Sequence, residues 1–120
     1  MPARGTQAVV EAFNEAFNRH DVEASMALMT DDCVFENTRP APDGTRVTGQ
    51  EAVRSFWTQF FDRSPQARFE TEEAIESGDR CVVRWVYHWV REGTAGHVRG
   101  VDLFRIRDGK VAEKLSYVKG

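Results

Sequence analysis

The sequence predicts an α+β fold in which three N-terminal helices close a curved antiparallel β-sheet into a cone over an apolar pocket. The chain has 120 residues, enough for one hydrophobic core. Apolar residues at helical spacing are concentrated in the first half of the chain, and strand-like runs separated by hairpin turns fill the second half. We therefore expect residues 1–120 to form a single domain.

Three helices are predicted before the main run of strands. Residues 6–19 place apolar side chains at the spacing of an amphipathic helix. Asp21 can cap a second, shorter helix through its side-chain oxygen. Residues 48–51, with the sequence TGQE, have the form of a capping box and open a third helix rich in aromatic residues.

The strands follow a different pattern. Residues 33–37 indicate a short strand, and residues 38–47 predict a loop because they contain two prolines and an Asp-Gly pair. Four further strands are predicted at about 67–76, 80–91, 96–107 and 110–118. Each is separated from the next by a glycine-containing turn, which favours an antiparallel meander.

Alternation sorts the strand residues onto two faces of the sheet. In strand 80–91 one row is apolar and aromatic and should face the helices, and its members are Cys81, Val83, Trp85, Tyr87 and Trp89. In strand 96–107 the matching row places Asp102 among apolar neighbours. Burial disfavours a charged carboxylate unless it finds a partner. We expect Asp102 to hold its proton, because Arg84 and Arg99 fall on the opposite face.

Two registers are open for the last strand. A two-residue turn at Asp108-Gly109 puts the first of two rows beside Asp102, namely Val111, Glu113, Leu115 and Tyr117. A three-residue turn with a bulge puts the second row there, namely Ala112, Lys114, Ser116 and Val118. The greater apolarity of the first row favours the first register.

The opposite face of the sheet is predicted to bind a second copy of the chain. It keeps five apolar residues among basic side chains: Val82, Val86, Val90, Val101 and Leu103. A mixed face of this kind is typical of a partner surface. A two-fold homodimer, with sheet against sheet, is the simplest way to cover it.

Composition and motifs argue against several classes of protein. A net charge of −3 without a basic block gives no footprint for nucleic acid or an anionic membrane. No apolar run approaches the ~20 residues of a membrane span, and the N-terminus lacks the form of a secretion signal, so we expect a cytoplasmic protein. Cys33 and Cys81 lie in strand-like runs, which favours packed thiols. The three histidines share no ligand spacing, so no metal is expected. The sequence has no Gly-rich phosphate loop, and no cofactor is expected.

Three stretches of the chain resemble the SnoaL-like branch of the nuclear transport factor 2-like superfamily: residues 13–21, 29–35 and 100–111. The resemblance implies a cone gated by helices and loops, often dimeric. Its members include polyketide cyclases, ketosteroid isomerases, epoxide hydrolases and non-catalytic binding domains. In a comparison with the ketosteroid isomerase, its Tyr falls on Phe13, its general base on Asn37 and its protonated acid on Asp102. Steroid isomerisation by that mechanism is not expected, because the first two groups are missing.

The candidate site centres on Asp102 as a pocket acid that moves a proton, with Asn37 orienting a carbonyl group. The expected ligand is a small hydrophobic molecule, and the residues predicted to form its pocket are Phe13, Phe17, Phe35, Trp57, Trp85, Tyr87, Trp89 and Phe104. Two functions remain open. The inward acid favours a cofactor-independent enzyme of isomerase, cyclase or hydratase type, whereas the two missing polar groups favour a non-catalytic binding or dimeric interaction domain.

Overall fold

A computed structural model describes residues 5–120 of the chain, and the fold is the predicted α+β arrangement. Residues 1–4 lie outside the described residues. They are part of the predicted single domain and of the N-terminal segment in which no secretion signal is predicted. The elements are α1 (Thr6–Asn18), α2 (Val22–Ala27), β1 (Met29–Glu36), β2 (Arg46–Thr48), α3 (Gln50–Arg63), β3 (Arg68–Ser77), β4 (Arg80–Arg91), β5 (Thr94–Arg107) and β6 (Lys110–Val118).

One six-stranded sheet carries the helices, in the order β2-β1-β6-β5-β4-β3. Its neighbours pair antiparallel except for β1 and β6, which run parallel. This parallel pair departs from the predicted antiparallel sheet. The hairpin turns determine the direction of consecutive strands only, and β1 and β6 are distant in the chain.

The region between β1 and α3 also differs from its prediction. Strand β2 lies partly within the predicted loop, and its last residue, Thr48, pairs with Val34 of β1. Helix α3 begins after Gly49, whose φ of 91° is in the region that favours glycine, and no side chain caps this end. The predicted capping box is therefore wrong, because Thr48 belongs to the sheet. Asp21 does cap α2, since its side chain accepts a hydrogen bond from the backbone N–H of Ala24.

An aromatic core, consisting of Phe13, Phe35, Trp57 and Phe104, fills the space between the sheet and the helices α1 and α3. The Phe13 ring lies 5.6 Å from the Trp57 ring and 5.9 Å from the Phe104 ring. Phe35 meets Trp57 edge-on at 5.1 Å. Tilted and edge contacts of this kind add to the stabilisation from burying apolar area. Each of these four residues is at most 4% exposed, so the centre of the cone is packed.

A β-bulge in β6 determines which of its residues face the helices. Arg107 pairs with Lys110 across a two-residue turn and Ile106 pairs with Val111, but the next pair is Arg105 with Glu113. Ala112 is therefore the extra residue, and beyond it the alternation is inverted. The inward residues opposite Phe104 and Asp102 are Lys114 and Ser116. The prediction that Glu113, Leu115 and Tyr117 face inward is wrong, because the bulge follows a two-residue turn.

The two cysteines are packed thiols. Cys33 and Cys81 are free and fully buried. Desolvation by burial raises the pKa of both thiols, which makes them poor nucleophiles. Within residues 5–120, no helix is both long and apolar enough to cross a membrane.

Candidate functional site

A cavity of about 590 Å³ lies between α1 and the strands β3, β4, β5 and β6. Its apolar lining comes from both layers, with Val10 and Phe17 on α1, Phe69 on β3 and Trp85 on β4. A cavity of this size and composition suits a small organic molecule. It lies beside the aromatic core and is separate from the packed centre of the cone.

Hydrogen bonds join α1 to β3 on both sides of this cavity. Near the end of α1, the Asn18 side-chain oxygen accepts from the backbone N–H of Phe69 at 2.8 Å. Near its beginning, Glu76 accepts from the backbone N–H of Gln7 at 3.1 Å. Between these contacts β3 bulges after Thr71, which lines the cavity. The hydrogen bonds therefore hold α1 at both ends and leave the cavity in the middle.

A polar trio of Asp102, Lys114 and Ser116 lies on β5 and β6, and its two charged members line the sheet side of the cavity. Asp102 Oδ2 is 3.2 Å from Lys114 Nζ, and the Ser116 hydroxyl donates a hydrogen bond to Asp102 Oδ1 at 2.6 Å. Asp102 and Lys114 are only 6% and 5% exposed. A buried acid either keeps its proton or pairs with a group of opposite charge, and Asp102 is paired. Its partner is Lys114 of β6, a residue that the favoured register places on the other face.

Lys114 has further contacts that define what it can bind. Its Nζ lies 5.1 Å from the centre of the Phe17 ring and 4.9 Å from that of the Phe35 ring, within cation–π range. A longer contact of 3.4 Å reaches the Ser116 hydroxyl oxygen. An ammonium group has three N–H donors. Asp102 and Ser116 accept two of them, and the third can serve a ligand in the cavity.

The trio combines a base with an acid. A carboxylate can accept a proton from a bound molecule, and an ammonium group can donate one to it or stabilise negative charge on an oxygen. Ser116 fixes one carboxylate oxygen and leaves the other with Lys114. Within residues 5–120 no group of side chains has the composition of a metal site.

Of the eight predicted pocket residues, two line the cavity, four form the aromatic core and two lie in neither. Phe17 and Trp85 line the cavity. Phe13, Phe35, Trp57 and Phe104 form the aromatic core described above. Tyr87 is half-buried and stacks on Phe69 at 4.7 Å, and Trp89, also half-buried, packs its ring over Gly96.

Asn37 lies apart from Asp102. It follows β1, its backbone N–H donates to the Thr45 carbonyl at 2.9 Å, and it does not line the cavity. The structure thus brings Asp102 together with Lys114 and Ser116 instead. Lys114 and Ser116 face inward because of the bulge at Ala112, so a sequence prediction that included this bulge would have identified both residues.

Three comparisons place the chain among known proteins. The family model of the SnoaL-like domain matches residues 10–114. No curated protein is significantly similar. A solved NTF2-like protein of unknown function from Mesorhizobium loti is 40% identical, with a TM-score of 0.82, over 96% of this chain and 91% of that one.

Two other solved structures are more distant. A candidate polyketide cyclase from Xanthomonas campestris is 25% identical, with a TM-score of 0.76, over 95% of this chain and 90% of that one. A hypothetical protein with a ketosteroid isomerase-like fold from Catenulispora acidiphila, in complex with trimethylamine, is 20% identical, with a TM-score of 0.80, over 91% and 83% of the two chains. At that identity the second likeness is one of fold alone.

Proposed function

The chain belongs to the SnoaL-like family, and from that premise we propose that it binds a small molecule with an apolar body and a carbonyl group in the cavity beside α1. Asp102 and Lys114 then move a proton on this ligand. The observation that carries the proposal is the position of the ion pair of Asp102 and Lys114 in the cavity lining, where six of the other twelve residues are apolar. The likeness to a candidate polyketide cyclase supports a carbonyl compound, because polyketides are rich in carbonyl groups.

In the proposed reaction the two charged groups act on adjacent atoms of the ligand. The Asp102 carboxylate removes a proton from the carbon next to the carbonyl group. The third N–H of Lys114 donates to the carbonyl oxygen and stabilises the negative charge of the enolate. Ser116 holds the carboxylate in place through Oδ1, so that Oδ2 remains the basic atom.

Deuterium exchange at the acidic carbon of indanone, a flat apolar ketone, tests this proposal. In deuterated buffer the protein should accelerate the exchange by roughly 10²- to 10⁴-fold, followed by proton NMR. Asp102→Asn should abolish the acceleration. Glu113→Gln removes a carboxylate from the neighbouring strand β6 at a position outside the cavity lining, and should leave the acceleration unchanged. Equal rates with and without protein would contradict the catalytic proposal.

Non-catalytic binding is the second candidate function, and two observations favour it. Phe13 carries no hydroxyl group and is buried in the aromatic core, and Asn37 lies outside the cavity. Indanone would then shift the backbone amide resonances of residues around the cavity without any gain in exchange rate. That combination of results would select binding over catalysis.

We also propose a cytoplasmic homodimer formed through the outer face of the sheet. Val82, Val101 and Leu103 are partly exposed there and Val90 is 44% exposed, whereas Val86 on the same face is already buried within the chain. Light scattering should give twice the chain mass of 13.7 kDa. The double variant Val101→Glu with Leu103→Lys should give the mass of one chain, because desolvating the two new charged groups opposes association. A monomeric parent protein at micromolar concentration would contradict the dimer.

A further inference from the structure

We infer that Lys114 is a nucleophile that forms an imine with an aldehyde or ketone held in the cavity. The inference rests on the proposed function, because it uses the same cavity and the same class of ligand. It replaces the proposed hydrogen bond from Lys114 to the carbonyl oxygen with a covalent bond between Nζ and the carbonyl carbon.

The position of Asp102 provides the first argument. A lysine attacks a carbonyl carbon only after its ammonium group has lost a proton, so a nucleophilic lysine needs a base within hydrogen-bond reach. Asp102 Oδ2 lies 3.2 Å from Lys114 Nζ and meets that requirement. Ser116 holds the other carboxylate oxygen at 2.6 Å and limits rotation of the acid away from the lysine.

Desolvation provides the second argument. Lys114 and Asp102 are at most 6% exposed, and both line the cavity. An apolar ligand that displaces water from the cavity removes solvation from both charges, and the cost can exceed the attraction between them. Transfer of the proton from Nζ to Oδ2 removes both charges at once. Ligand entry thus favours the free amine, whereas the rings of Phe17 and Phe35 stabilise the ammonium form beforehand.

The bonds and protons of the step balance without any further reagent. The Nζ lone pair attacks the carbonyl carbon, and a proton passes from nitrogen to oxygen to give a carbinolamine. The carbon–oxygen bond then breaks, and the hydroxyl group leaves as water with the proton held by Asp102. The product is a protonated imine on Lys114 beside an ionised Asp102, so the ion pair is restored.

The sequence supplies internal controls for this inference. The chain has three lysines, Lys110, Lys114 and Lys119. Lys110 and Lys119 are exposed, in contrast to Lys114. They report the reactivity of an ordinary surface lysine in the same sample.

The test uses naphthaldehyde as the carbonyl probe and cyanoborohydride to trap the imine at neutral pH. After digestion, peptide mass spectrometry should find the naphthylmethyl group on Lys114 forming roughly a hundredfold faster than on Lys110 or Lys119, the scale of general-base assistance. Equal rates at the three lysines, or no adduct on Lys114, would overturn the inference.

Two matched comparisons separate the imine from the proposed function. Naphthylmethanol has the same ring system but cannot form an imine, so its binding, measured by amide chemical shifts, tests the cavity alone. If naphthylmethanol binds and naphthaldehyde leaves Lys114 unlabelled, the imine is overturned and the binding site stands. If naphthylmethanol does not bind and naphthaldehyde does not label Lys114, both the imine and the proposed binding site are contradicted. Lys114→Arg keeps a cation but lacks the amine, and should form no adduct at position 114 while Lys110 and Lys119 are labelled as in the parent protein.

Discussion

The aromatic core and the polar trio lie on the same face of the sheet, and they contribute to the molecule in opposite ways. Phe13, Trp57 and Phe104 are at most 1% exposed, and their burial stabilises the fold through apolar area and ring contacts. Asp102 and Lys114 are nearly as buried but carry charges, whose desolvation costs several kcal/mol for each ion. One face of the sheet therefore separates the source of stability from the groups that can do chemistry.

The largest expected effect comes from breaking the buried ion pair on one side. Lys114→Met should lower the free energy of unfolding by about 3–5 kcal/mol, because it leaves Asp102 buried without its partner. The double variant Lys114→Met with Asp102→Leu should recover this loss and be neutral, or more stable than the parent by about 1–4 kcal/mol. Urea unfolding measures both. A double variant as unstable as the single one would show that the trio itself stabilises the fold.

A smaller effect tests whether the core is closed. Phe13→Tyr should lower the free energy of unfolding by about 1–3 kcal/mol, because the new hydroxyl group enters a space filled by aromatic rings. Phe17→Tyr is the matched control, since Phe17 lines the cavity and its hydroxyl group can reach polar groups or water there. Thermal unfolding should show a larger loss of stability for Phe13→Tyr than for Phe17→Tyr. Equal losses would mean that the cavity and the core are not distinct.

The smallest effect contrasts a surface ion pair with the buried one. The hydrogen bond from Arg107 lowers the pKa of Asp32 in the folded protein. The stability that this bond contributes is present above the ordinary Asp value of about 3.9 and is lost as the pH falls through the lowered value. Arg107→Gln should therefore reduce the melting temperature slightly at neutral pH and not at strongly acidic pH. Arg105→Gln is the control, because Arg105 lies on the same strand and face but pairs with Asp79. This variant should keep the loss of stability at acidic pH that comes from the pair of Arg107 and Asp32.

Much of the fold could be predicted from the sequence because its signals are local. The apolar spacing of α1 and the Gly turns of the hairpins each act over a few residues, and Asp102 faces inward as alternation requires. The position of Lys114 could not be predicted in the same way. Val111 and Ala112 are both apolar and both buried, so alternation does not reveal which of them is the extra residue.

The cavity also depends on contacts that are distant in the chain. Its position follows from how α1 lies against β3, which involves a hydrogen bond between Asn18 and Phe69. Nothing in the local pattern of either segment indicates that contact. The eight aromatic residues predicted for the pocket suit either a cavity or a core, and their packing around Phe13 and Trp57 places four of them in the core.

The bulge at Ala112 also bears on how site residues are transferred between members of the family. A relative whose last strand lacks the extra residue would form an uninterrupted ladder with β5, and its residues opposite Phe104 and Asp102 would come one step earlier in the chain. An ungapped alignment of the two strands would then match Lys114 with an outward residue of the relative. Aligning the polar trio therefore requires a gap at position 112. The apolar residues on either side of that position give no indication that a gap is needed.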